Sequence, residues 1–148
     1  MATATKTFKL ELITPEKVLL DIEVERLVAV TETGEIGVLA KHADMTCKLE
    51  PAPLKYWAPD GKKDVLAVIG GILEVKDNKV TIITDFALNS SDIDEAKAQK
   101  AAEEAKADLQ MRQQKARDNA IDKDLVIAEY KLQKELIFLK TIRLKKNF

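Results

Sequence analysis

The chain has 148 residues, 46% of them hydrophobic, enough to bury the core of one domain or of a small domain with an appendage. Lys+Arg 24 against Asp+Glu 25 leaves a net charge of -1, so no global basic field points to nucleic acid. One cysteine, Cys47, closes no intramolecular disulfide, and one histidine, His42, completes no Cys/His zinc set, which fits a reducing compartment.

The opening Met1-Ala2-Thr3-Ala4-Thr5-Lys6 carries no apolar targeting run, and no stretch approaches the ~18 apolar residues of a membrane span. The expectation is a protein that is soluble or peripheral to a membrane, with no direct membrane insertion. From residue 7 apolar residues recur at every second position. Phe8, Leu10 and Leu12 alternate with Lys9 and Glu11, the period of a strand with one wet face, until Thr14-Pro15 breaks it. A longer alternation through Leu20, Ile22, Val24, Val28 and Val30 reads as one strand carrying one core face over its whole length.

Turn chemistry punctuates the remainder of this half. Gly34 and Gly37 bracket Ile36; Pro59-Asp60-Gly61 separates Tyr56-Trp57 from the run 65–69; Asp77-Asn78 separates residues 72–75 from 80–83. Gly70-Gly71 lies between apolar strand runs and reads as a bulge or tight bend. Short strands with hairpin chemistry between them predict an antiparallel β-sandwich or barrel ending near Phe86.

After Asn89 glycine and proline vanish, and Ala, Glu, Lys, Gln and Leu dominate. Ser90-Ser91-Asp92-Ile93-Asp94-Glu95 offers a cap, so a first helix is expected from about residue 92 to Arg117. The cluster 118–122 reads as a turn, with Asp122 capping a second helix that reaches almost to Lys146. The fold class predicted is therefore β + α: an antiparallel β-sandwich over residues 1–88, then an antiparallel two-helix hairpin over residues 89–148. Helices of about 25 residues at ~1.5 Å rise are each ~38 Å long, too long for a small sandwich to cover throughout.

One stripe of the first helix holds Ala98, Ala101, Ala105, Leu109 and Ala116; one stripe of the second holds Leu125, Ala128, Leu132, Leu136, Leu139 and Ile142. Alanine allows close approach but removes little apolar area, so at ~25 cal/mol per Å² this seam is weaker than a leucine–leucine one and undocks cheaply. Ile127, Tyr130, Ile137 and Phe138 lie off the main stripe. Packing on the sandwich and a second docking surface both account for them.

The groups catalysis requires are not supplied in combination. There is no second histidine, no thiol paired with a base and no glycine-rich phosphate loop ending in Lys-Ser/Thr. Asp92-Ile93-Asp94 lacks the glycine and terminal glutamate of a calcium loop. No catalytic or metal site is assigned, and the chain is not expected to be an enzyme.

Three segments resemble the epsilon subunit of bacterial and chloroplast F-type ATP synthases, whose mitochondrial counterpart is called delta. Residues 34–43, Gly-Glu-Ile-Gly-Val-Leu-Ala-Lys-His-Ala, resemble the family's G-E-hydrophobic-G-hydrophobic run ending in His-Ala. Gly70-Gly71-Ile72-Leu73-Glu74-Val75 with Val80-Thr81-Ile82-Ile83 resembles its second signature. Ile93-Asp94-Glu95-Ala96-Lys97-Ala98 stands in the place of the I/L-D-x-x-R-A element that opens the helical domain. Lys97 departs from arginine there, Asp44 stands where proline commonly follows His-Ala, and Pro51-Ala52-Pro53 replaces a glycine-containing lead into a strand.

The resemblance implies a non-catalytic rotor part, peripheral on the cytoplasmic face of a bacterial plasma membrane or the stromal face of a thylakoid. Its sandwich would bind the gamma subunit and sit on the c-ring, coupling proton passage to ATP synthesis. Glu35 and His42 match positions assigned to the c-ring contact. Ile93, Asp94, Lys97 and Ala98 match the regulatory element. The hairpin would extend to the alpha/beta catalytic head and inhibit ATP hydrolysis. Lys131, Lys134, Ile137, Phe138, Lys140, Arg143, Lys145 and Lys146 are the residues expected to make that contact, because cations gather at the chain's end beside surplus apolar side chains. Cations complementing the helix C-terminal dipole are the plainer account of the same cluster.

Some family members bind ATP through the element at residues 93–98 with arginines on the second helix. Lys97 offers a point charge instead of a planar fork, and Arg143 is the one arginine on the second helix, so no cofactor is expected and ATP binding should be weak or absent. Two rivals remain at this level: an adaptor unrelated to ATP synthase that displays a coiled-coil hairpin, and a nucleotide sensor.

Overall fold

The computed structural model describes residues 6–116 and 123–148. Ten strands come first: β1 (Phe8–Ile13), β2 (Val18–Val24), β3 (Arg26–Thr31), β4 (Gly34–Leu39), β5 (Met45–Leu49), β6 (Ala52–Trp57), β7 (Lys63–Val68), β8 (Gly71–Lys76), β9 (Lys79–Ile83) and β10 (Ala87–Asn89). A 3-10 turn, Ser90–Asp92, leads to α1 (Glu95–Ala116), and α2 (Lys123–Lys146) comes last. The expected turn at 118–122 and the Asp122 cap lie outside the described residues.

The strands run β10-β7-β6-β3-β5-β8-β9-β1-β2, with β4 on the free side of β3. β3 and β5 share only Thr31↔Leu49, and there the sheet folds into two layers. β10, β7, β6, β3 and β4 form one layer; β5, β8, β9, β1 and β2 form the other. Among the described residues every pairing is antiparallel except β1 with β9. Alternate residues face inward, so Phe8, Leu10, Leu12, Leu73, Val75 and Ile82 of one layer meet Leu27, Ala29, Val38, Leu54 and Leu66 of the other in a continuous core.

The stretch expected to be one strand through 20–30 is two. The chain bends at Glu25, whose N–H donates to the Trp57 carbonyl at 2.7 Å, and passes from one layer to the other. One residue of bend reverses the parity: Val24 faces the core, and then Leu27 and Ala29 do. Gly34 and Gly37 likewise do not mark a turn. Both lie in β4, and the two-residue turn is Glu32-Thr33, closed by the Thr31 hydroxyl donating to the Gly34 carbonyl at 2.8 Å.

Asp77 and Asn78 have φ of 50° and 60°, the positive pair that a two-residue hairpin requires. Gly71 has φ 130°, and a Cβ there would collide with the Ile83 carbonyl oxygen, so the glycine is required by both conformation and space. The last strand extends three residues past Phe86, pairing Ala87, Leu88 and Asn89 with β7. The first helix starts at Glu95 instead of residue 92. Asp94 is its cap, its carboxylate accepting from the Lys97 N–H at 3.1 Å, while Ser90 is buried and donates to Asp64 at 2.9 Å.

α2 lies across the outer face of β7 and β6, and α1 packs on α2. The second cluster joins Ala67 and Ile69 to Ala98 and Phe138, with Phe86, Leu88, Ile93, Ile137 and Leu139 half-buried around it. The off-stripe Ile137 and Phe138 thus pack on the sandwich, whereas Ile127 and Tyr130 stay exposed. Between the helices Ala98, Ala102 and Ala128 are buried, but Leu136, expected in the seam, is 50% exposed. It borders an open groove of about 510 Å³ with Ala102, Leu109, Leu132 and Leu139. On the α1 side that groove is lined mainly by polar chains, Gln99, Glu103, Lys106, Gln110 and Gln113, which leave Leu136 uncovered.

Candidate partner-docking surfaces

The two outer faces of the sandwich differ. One is covered by the chain's own α2. The other, on β2, β1, β9 and β8, carries an uncovered apolar row. Register makes Val18 the partner of Ile13, Ile13 the partner of Ile83, and Ile83 the partner of Ile72. Their neighbours Leu12, Ile82 and Leu73 are fully buried, so this set points away from the core. Val18, Ile72 and Ile83 are 54%, 53% and 58% exposed, and Ile13 is half-buried.

The rest of that face is polar. Asp21 pairs with Lys9 at 3.2 Å and Glu11 with Lys79 at 3.6 Å, both solvent-facing cross-strand pairs. At the row's far end Lys48, the partner of Ile72, reaches Glu32 in the β3–β4 turn at 3.2 Å. Four aligned β-branched side chains beside a charged field have the composition of an interface centre and rim. The sequence signal was available: Leu12-Ile13, Ile72-Leu73 and Ile82-Ile83 are apolar doublets that break alternation. Only register brings them into line.

Glu35 and His42 lie toward opposite ends of β4. Glu35 is exposed at the start of β4, opposite Val30 and next to the turn that adjoins the row. His42 lies beyond the far end of β4, about 13 Å of strand away at ~3.3 Å per residue. There its Nδ1–H donates to the Ala43 carbonyl at 2.8 Å. That loop is pinned to the β8–β9 turn, with the Lys41 N–H donating to Asn78 at 2.7 Å and the Asp77 N–H to Asp44 at 3.3 Å.

The segment 93–98 lines a shallow pocket of about 230 Å³ with Glu135 and Phe138 of α2. Ile93 and Ala98 face the second cluster, Asp94 is spent as the helix cap, and Lys97 is exposed. Burial pushes the Glu135 carboxyl up, with Lys134 opposing. Arg143 borders a different pocket, with Glu95, Gln99 and Lys146. The two groups that sequence paired for a phosphate therefore border different pockets, and an acid faces the one that Lys97 borders.

The C-terminal set is divided. Phe138 is 6% exposed, with its ring centroid 5.8 Å from that of Phe86, and Lys134 Nζ lies 4.6 Å from the Phe86 ring. Lys145 pairs with Asp64 at 3.1 Å and Lys146 with Glu95 at 2.8 Å. Lys131, Lys140 and Arg143 lie at the surface and make no ion pair among the described residues. Also among the described residues, no acidic, His or Cys side chains group into a metal-holding set, and no helix is long and apolar enough to cross a membrane.

Residues 7–90 match the family model for the ATP synthase delta/epsilon chain β-sandwich domain. The ATP synthase epsilon chain of Natranaerobius thermophilus is 34% identical over 145 residues, covering 97% of this chain and 98% of that protein. That of Herpetosiphon aurantiacus is 33% identical over 139 residues, 94% of this chain and 96% of its own length. A chain in the Euglena gracilis mitochondrial ATP synthase OSCP/F1/c-ring structure superposes with a TM-score of 0.73 at 29% identity, covering 97% of this chain and 83% of that one. A chain of the Tetrahymena thermophila central stalk and c-ring structure shares the fold, with a TM-score of 0.52 at 19% identity.

Proposed function

This chain belongs to the ATP synthase delta/epsilon family, and from that premise we propose that its sandwich is seated in the rotor through the bare row Val18, Ile13, Ile83 and Ile72. Like the epsilon chains it matches, it is a non-catalytic subunit of the complex, and the end-to-end match sets aside an unrelated adaptor. The observation that carries the docking is the contrast between the two outer faces: α2 covers the apolar residues of β7 and β6 on one, with Leu39 of β4 left exposed, whereas the other leaves an aligned row of them in water. A permanent partner such as the gamma subunit suits that apolar row. The polar c-ring loops suit the exposed Glu35 end, and His42 serves the same contact only if the ring spans the length of β4.

Residues 1–88 form the rotor-binding unit in this proposal and residues 89–148 the regulatory one, with β10 overrunning that boundary by Asn89. Membership of the assembly supports a position at the cytoplasmic or stromal membrane face. No cofactor is assigned: Asp94 is a cap, Arg143 borders a different pocket from Lys97, and Glu135 lines the pocket that Lys97 borders. Inhibition of hydrolysis through the alpha/beta head requires α2 to leave the sandwich, because Phe138, Lys145 and Lys146 are engaged within the chain itself.

The test is reconstitution with purified gamma, the c-ring and the catalytic head. Ile72→Glu with Ile83→Glu should abolish capture by gamma while the isolated chain keeps its thermal stability, since both side chains already face solvent. Full retention of gamma by that variant would sink the assignment of this face.

A further inference from the structure

We infer that the last four residues form a clasp that fixes the direction of the helical hairpin on the sandwich, with Asp64 and Trp57 as its two seats. The inference is independent of which partner the sandwich binds.

α2 meets the sandwich at two places, and Thr141, one turn beyond the first, is fully buried between them. The first is apolar, Phe138 on Ala67, Ile69, Phe86 and Leu88. The second lies seven to ten residues further on, ~10–15 Å along the helix axis at ~1.5 Å per residue. There Lys145 Nζ reaches the Asp64 carboxylate at 3.1 Å and the Lys63 carbonyl at 3.0 Å. The Phe148 ring meets the Trp57 ring edge-on, centroids 5.0 Å apart at 60°. Lys63 Nζ lies 4.9 Å from the Phe148 ring, and the Arg26 guanidinium 4.6 Å from the Trp57 ring. Lys146 meanwhile ties the end of α2 to Glu95 at the start of α1.

The first seat is held in place before Lys145 arrives. Asp64 accepts from the Ser90 hydroxyl at 2.9 Å and from the Val65 N–H at 2.8 Å, so pairing with it orders one long side chain instead of two. A helix held only over the single turn from Phe138 to Thr141 has a short footing about which it can pivot. A second attachment a turn or more away removes the pivot, and α1, which touches the second cluster through Ala98, moves with α2. Cations serving only the helix dipole would not need partners on β7 and α1, and the Phe148 ring carries no charge to serve it.

The test uses the full chain, in which Trp57 is the only tryptophan and therefore reports its own seat. Lys145→Met and Phe148→Ala alter only the tail and leave the sandwich intact. In the double variant, amides over residues 131–141 should exchange about tenfold faster, equivalent to about 1.4 kcal/mol. Trp57 emission should shift to the red and the strand amides should stay unchanged. Acceleration confined to residues 144–148, with 131–141 as slow as in the parent, would show a local contact and overturn the clasp. So would a Trp57 emission spectrum indifferent to Phe148→Ala.

Discussion

Phe138 of α2 and Phe86 of the β9–β10 connection hold their ring centroids 5.8 Å apart, and Lys134 stands over the Phe86 ring. This is the apolar centre of the hairpin's attachment. Replacing Phe138 by alanine should weaken docking by about 3 kcal/mol, the lower end for truncating a buried phenylalanine. The core of the sandwich lies on the other side of β7 and does not include Phe138. Limited proteolysis should therefore cut α2 faster while the thermal transition of the strands holds. Unchanged protection of α2 would assign its docking to other contacts.

Gly71 and Gly37 make a matched pair. A Cβ at Gly71 would meet the Ile83 carbonyl oxygen in a backbone at φ 130°, whereas a Cβ at Gly37 meets nothing within 4 Å. Gly71→Ala should cost about 2 kcal/mol or more. Gly37→Ala should be neutral or stabilising by about 0.5 kcal/mol. Equal midpoints in denaturant for the two variants would contradict the close approach of β8 to the end of β9.

Cys47 sits half-buried on β5, and desolvation raises its thiol above the ordinary value. The thiolate is the reactive form and its fraction falls as the pKa rises. Alkylation should therefore run slower than for a free model thiol from neutral pH to about 9, and denaturant should restore the normal rate. Equal native and denatured rates would show the side chain to be free in solution.

Hydrolysis by assembled enzyme tests the regulatory reading. Deleting residues 123–148 should raise the ATP hydrolysis rate without loss of assembly. Replacing Lys140, Arg143, Lys145 and Lys146 together by alanine would mix two effects, because Lys145 and Lys146 also hold the hairpin down. Lys131, Lys140 and Arg143, at the surface while the hairpin is docked, are the cleaner set, and their alanine variants should recover part of the gain. No change in either the deletion or the triple variant would leave the hairpin a structural appendage.

The sequence by itself determined the division of the molecule. Period-two alternation up to the 80s, then an abrupt loss of glycine and proline, can be satisfied only by strands and then helices, because each period buries one face of one kind of element. Asp77-Asn78 and Pro59-Asp60-Gly61 were equally legible, since the conformation they demand is settled within two or three residues. Tertiary structure decided the rest. A single bend at Glu25 reversed which residues of β3 face the core, and nothing in the alternation records it. Ile13, Ile72 and Ile83 belong to three strands and became one surface through register, including the parallel pairing of β1 with β9. Lys145 read as one of a cluster of cations serving the helix dipole or a partner, and Phe148 gave no signal, until β7 and β6 supplied Asp64 and Trp57 from the far half of the chain. Backbone preference acts over a few residues and is written locally, whereas the neighbours of a side chain across strands and helices are chosen by register and packing of the whole fold.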